Sequence, residues 1–181
     1  MSSQKRRYEQ TARAESQQAT RAKIAAAAAA LHEEVGVART TVADIARRAG
    51  VQRLTVYNHF PDLAALLPAC TAHFMAEHPM PALDPTAGLE PALVALYGWY
   101  RENATMQRRV LGERASVPEL DDWVARSGDV AMAGLAQALG GGPLVALALD
   151  FWTWDRLAGE GLSDAEAAAL MARAAAAATR P

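Results

Sequence analysis

An all-α fold is what this 181-residue sequence predicts. Three observations predict it: apolar residues recur three and four positions apart in successive segments, alternating β-branched runs with paired turn signals are missing, and alanine, the strongest helix former, is abundant. The most informative stretch begins at Thr40 and reads TTVADIARRAGVQRLTVYNHF. Val42, Ile45, Ala46 and Ala49 fall at i, i+3, i+4 and i+7 and make one apolar face, with Arg47 and Arg48 pointing away. Thr41 followed three residues later by Asp44 marks the helix start, because the hydroxyl accepts a free amide of the first turn and the carboxylate faces the positive helix end. Gly50 marks the stop, since a residue without Cβ can take the left-handed conformation that turns the chain.

A second short helix is expected at 52–59, with Val56 and Phe60 joining Val51 on the buried side. Its other side carries Gln52, Arg53, Leu54, Thr55, Tyr57, Asn58 and His59. A guanidinium can bond guanine O6 and N7 bidentately, an amide adenine N6 and N7, and a leucine the thymine methyl. Tyr57 and His59 suit phosphate oxygens. A plain solvated helix face presents similar residues, so the side chains alone leave both readings open.

Ahead of this pair, a helix over 16–35 places Ile24, Ala27, Ala28, Leu31 and Val35 on one stripe, and Gly36 closes it. His32, followed by two glutamates, is expected at the surface or edge. Residues 1–18 are polar, with Lys5, Arg6, Arg7 and Arg13 among serines and glutamines. They suit a solvated tail, a helix extension, or a basic arm along DNA.

The segment from Thr20 to Leu67 resembles the DNA-binding domain of the tetracycline-repressor (TetR-type) family of bacterial regulators. The match rests on Arg21, Ile24, Gly36, Thr40-Thr41, Ile45-Ala46, Ala49-Gly50-Val51, Thr55-Val56-Tyr57, His59-Phe60 and Leu66-Leu67, correctly spaced over about fifty residues. The resemblance implies a three-helix helix-turn-helix domain at 19–61 whose third helix reads DNA; the candidate DNA contacts are Thr41, at the start of the second helix, and Gln52, Arg53, Leu54, Thr55, Tyr57, Asn58 and His59. It also implies a six-helix ligand-binding and dimerisation domain at 62–181. Two positions depart from the family. Leu54 replaces a small residue, and Leu63 replaces a lysine that helps hold the phosphate backbone, a contact leucine cannot make.

Charge divides the chain in the same place. Residues 1–60 hold ten Lys and Arg against five Asp and Glu, whereas 61–181 hold eight against fifteen. The global pI near 6.1 hides this local basic field.

Beyond residue 61 the pattern stays helical. Helices are expected over 62–78, kinked or broken at Pro68, then over 87–103, 105–113, 118–139, 143–158 and 163–179. A proline-rich linker covers 79–85, Gly140-Gly141-Gly142-Pro143 breaks the chain, and Ser163 with Glu166 forms a capping box. The last two helices carry Leu144, Val145, Leu147, Leu149, Phe151, Trp152, Trp154, Leu157, Leu162, Leu170 and Met171. That is more apolar surface than one small domain buries. The resemblance implies a homodimer through these two helices, and hence a double-stranded DNA operator that is an inverted repeat.

Phe74, Trp99, Tyr100, Trp123, Phe151 and Trp154 form the candidate ligand-binding set for a small, largely apolar effector, with Arg101 and Arg108 at the mouth; packed core is the competing reading. No cofactor or metal is expected. His73 and Glu77 match no zinc spacing, and Cys70, a lone cysteine, reads as a core residue before a redox sensor. The competing function, an enzyme or small-molecule carrier with merely structural amino-terminal helices, finds no Gly-rich phosphate loop, nucleophile elbow or acid and base pair. With one cysteine and neither an apolar leader segment nor a run of eighteen apolar residues, cytoplasmic residence is the expectation.

Overall fold

A computed structural model describes residues 2–178, with the side chains of 7, 8 and 10–178. All regular structure among the described residues is helical: helix-turn-helix elements near the amino end, followed by a bundle. The helices are α1 (Ser2–Val35), α2 (Val42–Ala49), α3 (Arg53–His59), α4 (Leu63–Glu77), α5 (Leu89–Glu102), α6 (Ala104–Gly112), α7 (Pro118–Val124), α8 (Val130–Ala138), α9 (Pro143–Leu149), α10 (Phe151–Gly159) and α11 (Asp164–Ala178). None of them is long and apolar enough to cross a membrane.

Helix α1 begins far ahead of the expected position. It is continuous from Ser2 over 34 residues, because the polar stretch of Gln, Arg, Glu and Ala consists of competent helix formers and contains no breaker. Residues 10–19 are exposed, so this part of the helix stands clear of the core. The arm's Lys5 and Arg6 side chains, and the expected helix end at Thr179, lie outside the described residues.

The buried stripe of α1 is wider than expected. Ala25 and Ala29 join Ile24, Ala27, Ala28 and Leu31, because α2, α4 and α6 all pack against this one helix. His32 is therefore buried, 3% exposed, and not the surface or edge residue its sequence neighbours suggest. Its Nδ1 lies 3.7 Å from Cys70 Sγ. Burial holds the imidazole pKa down to about 4 against the opposing pull of Glu113, and burial pushes the Cys70 thiol up to about 12. Cys70 is thus an inert core thiol.

Ile24, Ile45, Val56, Phe60, Leu66, Leu67 and Cys70 form an amino-terminal cluster, which Val117, Leu120 and Val124 complete from the region of α7. Leu63 packs half-buried on the same cluster. Helix α4, capped by Asp62 on the Ala65 amide (2.8 Å), continues through Pro68 without a break. Pro68 is exposed, so the ring and the freed carbonyl of Ala64 face solvent instead of disrupting the packed side.

A second cluster gathers Phe74, Leu93, Leu96, Tyr97, Trp99, Tyr100, Met106, Leu149, Phe151, Trp154 and the alanines of α11. The helix expected over 143–158 is interrupted at Asp150 (ψ 133°). The Asp150 carboxylate accepts the Thr153 amide (2.9 Å) and starts α10, while the Tyr97 and Tyr100 hydroxyls donate to the Ala148 and Leu149 carbonyls (both 2.7 Å) and terminate α9. These bonds satisfy groups that a break would otherwise strand. The helix expected over 118–139 contains a π-helical turn, Ala125–Asp129, bracketed by Arg114 bonded to Asp121 (2.8 Å) and Asp129 (2.7 Å). At α11 the capping box forms as expected, Ser163 and Glu166 exchanging backbone and side-chain bonds.

Candidate nucleic-acid interface

Helix α2 starts at Thr41, whose hydroxyl accepts the Asp44 amide (3.2 Å). The Thr41 and Arg47 side chains together hold the Asp44 carboxyl below the usual carboxylate range. Gly50 ends the helix at φ +67°, its amide returning to the Ala46 and Arg47 carbonyls, a conformation that would strain a residue with Cβ. Helix α3 follows after two residues and packs through Val56 and Phe60, 1% and 3% exposed.

The opposite side of α3 faces solvent. Gln52, Arg53, Leu54, Tyr57 and Asn58 are exposed, while Thr55 and His59 are half-buried toward α1. Leu54, at 67% exposure, and Tyr57, at 51%, are among the most exposed large apolar side chains of the molecule. The structure thus brings six of the candidates onto α3 and Gln52 to its N-cap, with Thr41 exposed at the neighbouring cap.

The cations differ in availability. Arg47 pairs with Asp44, and Arg48 is bidentate to Glu34 (2.6 and 2.7 Å). Arg53 makes no ion pair among the described residues. Its guanidinium is exposed.

Sequence reasoning gave Arg21 no structural role. Its Nη1 donates to the His59 carbonyl (2.7 Å), and its guanidinium lies over the Phe60 ring, 4.0 Å from the centroid. A cation there satisfies the negative end of α3. With Gln17, Gln18, Thr55, Asn58 and His59 it lines a polar groove of ≈ 570 Å³ between α1 and α3. No local pattern signals this groove, because it exists only once α1 has packed beside a helix 38 residues away.

Five of the six candidate effector residues come together. Phe74, Trp99, Tyr100, Phe151 and Trp154 lie in the carboxyl-terminal cluster; Tyr100 meets Phe151 edge-on at 5.3 Å and Trp154 at 5.8 Å. Trp123 does not join them. It packs against the amino-terminal cluster, donating through Nε1 to Thr71 Oγ1 (3.2 Å), because α7 lies along α4. Arg101 and Arg108, expected at a pocket mouth, are instead paired with Asp164 (2.8 Å) and Asp155 (2.7 Å). His73 and Glu77 approach to 3.5 Å across one helical turn.

Fold and surface together define a helix-turn-helix protein with an appended all-helical domain. Residues 24–70 match the family described as bacterial regulatory proteins, tetR family. An uncharacterized HTH-type transcriptional regulator of Mycobacterium tuberculosis (strain H37Rv) is 35% identical over 124 residues, covering 66% of this chain and 65% of that protein. One from Mycobacterium bovis shows the same identity and coverage. The match therefore spans a little under two thirds of these curated relatives. A crystal structure of a TetR transcriptional regulator from Rhodococcus sp. RHA1 is similar at a TM-score of 0.50 and 25% identity, covering 88% of this chain and 94% of that one. Over residues 24–70 the chain is thus similar to the tetR family, and its helical fold is similar to that of the Rhodococcus regulator.

Proposed function

We propose that this protein is a ligand-responsive transcriptional regulator, a repressor that binds an inverted-repeat operator as a homodimer and is released by a small, largely apolar effector. The observation that carries the reading is the exposed side of α3. Arg53, free of any ion pair among the described residues, stands there beside Gln52, Leu54, Tyr57 and Asn58, over a helix anchored by Val56 and Phe60. In this reading Arg53, Gln52 and Asn58 contact base edges. Thr41, Thr55, Tyr57 and His59 hold phosphates, and Leu54 meets a thymine methyl.

Leu147, Trp152 and Leu170 are 48%, 44% and 40% exposed on α9, α10 and α11. Apolar side chains of this size on neighbouring helices support a partner subunit that covers them. A two-fold dimer sets two α3 helices into successive major grooves about 34 Å apart. The aromatic cluster of Phe74, Trp99, Tyr100, Phe151 and Trp154 is the proposed effector region. An effector that prefers the DNA-free conformation by about a hundredfold shifts the equilibrium by about 2.7 kcal/mol.

Gel-shift titration against the DNA upstream of the protein's own gene, at several salt concentrations, tests this. Saturable, sequence-selective binding that weakens as salt rises is expected. Arg53→Ala should lower affinity by about 1–3 kcal/mol at particular base pairs; an equal loss on every sequence removes Arg53 as a base reader.

A further inference from the structure

Helix α6 touches both hydrophobic clusters. Met106 is buried in the aromatic one, and Val110 and Leu111 pack against both. Its first turn is tied to α5 by Asn103, which is buried and donates through Nδ2 to the Trp99 carbonyl (2.8 Å). At its far end the Glu113 backbone is held in place, its carbonyl accepting the Ser116 and Val117 amides (3.0 and 3.1 Å). From there the Glu113 side chain reaches the connection between α1 and α2, where Oε2 accepts the Ala38 amide (2.9 Å).

The connection is shaped to receive it. Gly36 is buried at φ +90°, and a Cβ there would lie 1.9 Å from Glu113 Oε1. The carboxylate therefore occupies the space that any other residue at position 36 would fill. Thr40 ties the same turn internally, its hydroxyl donating to the Gly36 carbonyl (2.7 Å), and the next residue, Thr41, caps α2. A continuous series of contacts thus runs from the aromatic cluster through α6 and Glu113 to the residue that starts the helix pair.

We infer that Glu113 is a positioning residue for DNA binding: its carboxylate, carried at the end of α6, clamps the Gly36–Ala38 turn and fixes where α2 and α3 stand relative to the carboxyl-terminal half. This deepens the regulator reading and rests on it for its purpose, though the clamp itself is measurable without DNA. Withdrawal of α6 removes the acceptor from Ala38 and frees the turn, which gives changes in the aromatic region a route to α3.

The test uses the full chain as wild type, Glu113→Ala and Glu113→Gln, the last keeping an acceptor oxygen. Hydrogen–deuterium exchange is followed over 37–60 and over α5, and each protein is titrated with the upstream DNA fragment and with random-sequence DNA. Loss of the bond should raise exchange over 37–60 about fivefold in Glu113→Ala, leave α5 unchanged, and be largely restored in Glu113→Gln. Affinity for the upstream fragment should fall about fivefold in Glu113→Ala alone, with random-sequence binding unaltered. Equal exchange in all three proteins overturns the inference, as does a rise spread equally over α5, or unchanged selective affinity despite a loosened turn. If wild type shows no selective binding, the regulator reading fails, and the exchange comparison still decides whether Glu113 clamps the turn.

Discussion

The two hydrophobic clusters are made of different material. The amino-terminal one is mainly aliphatic, built on the alanines of α1 with Ile24, Ile45, Val56, Leu66 and Leu67, and Phe60 is its one buried phenyl ring among the described residues. Small side chains let α1, α2 and α4 lie close, and such tight packing holds a short helix like α3 at a defined angle. The carboxyl-terminal cluster is aromatic, with Tyr97, Trp99, Tyr100, Phe151 and Trp154 in contact. The rings bury large apolar areas and meet in tilted and edge-on pairs. Their surfaces differ as well. Exposed Leu54 and Tyr57 stand among amides and a guanidinium on α3, whereas exposed Leu147 and Leu170 belong to helices rich in alanine or leucine and exposed Trp152 to one that begins Phe-Trp-Thr-Trp. An exposed large side chain thus has different surroundings in the two halves: polar groups in one, apolar ones in the other.

The largest expected effect sharpens the aromatic side of the contrast. Trp154 is 2% exposed and donates to Asp164 Oδ1 (2.9 Å), so Trp154→Ala should lower unfolding free energy in urea by about 3–5 kcal/mol. A loss below about 1 kcal/mol would mean that the ring borders a hollow instead of filling a core.

The next effect belongs to the amino-terminal side, where the imidazole of His32 is buried against Cys70. Its pKa is depressed from 6.5 to about 4, so the unfolded chain binds the proton more readily than the folded one. The stability this neutral imidazole allows is complete above pH 6.5 and is lost as pH falls toward 4, by about 3 kcal/mol. Thermal melting across pH 4–7 should show that dependence in wild type and a flatter one in His32→Leu; identical profiles would place the acid sensitivity elsewhere.

A smaller change is expected at the end of α3. Arg21→Ala removes the bond to the His59 carbonyl and the contact with Phe60, and should cost about 1 kcal/mol. Lysine should not restore it, because an ammonium cannot stack and bond at once. Denaturant melts of the three proteins check both statements. Smallest of all, Leu54→Ala should leave stability within about 0.5 kcal/mol. A loss above 1 kcal/mol would show this side of α3 packed against protein and would erase the difference between the two surfaces.

Local signals were legible where they act over one turn. The Thr41 cap, the Gly50 stop and the Ser163–Glu166 box form as their spacing predicts, and six of the candidates share α3 with Gln52 at its cap. The break at Asp150 was hidden because its carbonyls are satisfied by Tyr97 and Tyr100, about fifty residues away. Helical spacing does not say which helix a face will meet, so neither the packing of Trp123 beside α4 nor the burial of His32 is legible in the local pattern.

The order of nearest neighbours along the chain was enough to set the helical class, the amino-terminal pair, its caps and its unburied polar side, because helix periodicity and capping are decided within about four residues. Which helices touch, that α1 is enclosed on three sides, that Arg21 closes α3 and that Glu113 meets Gly36 were decided only by tertiary packing. Those contacts join residues 38 to 77 positions apart, and the geometry between such distant residues is fixed by how whole helix surfaces fit together.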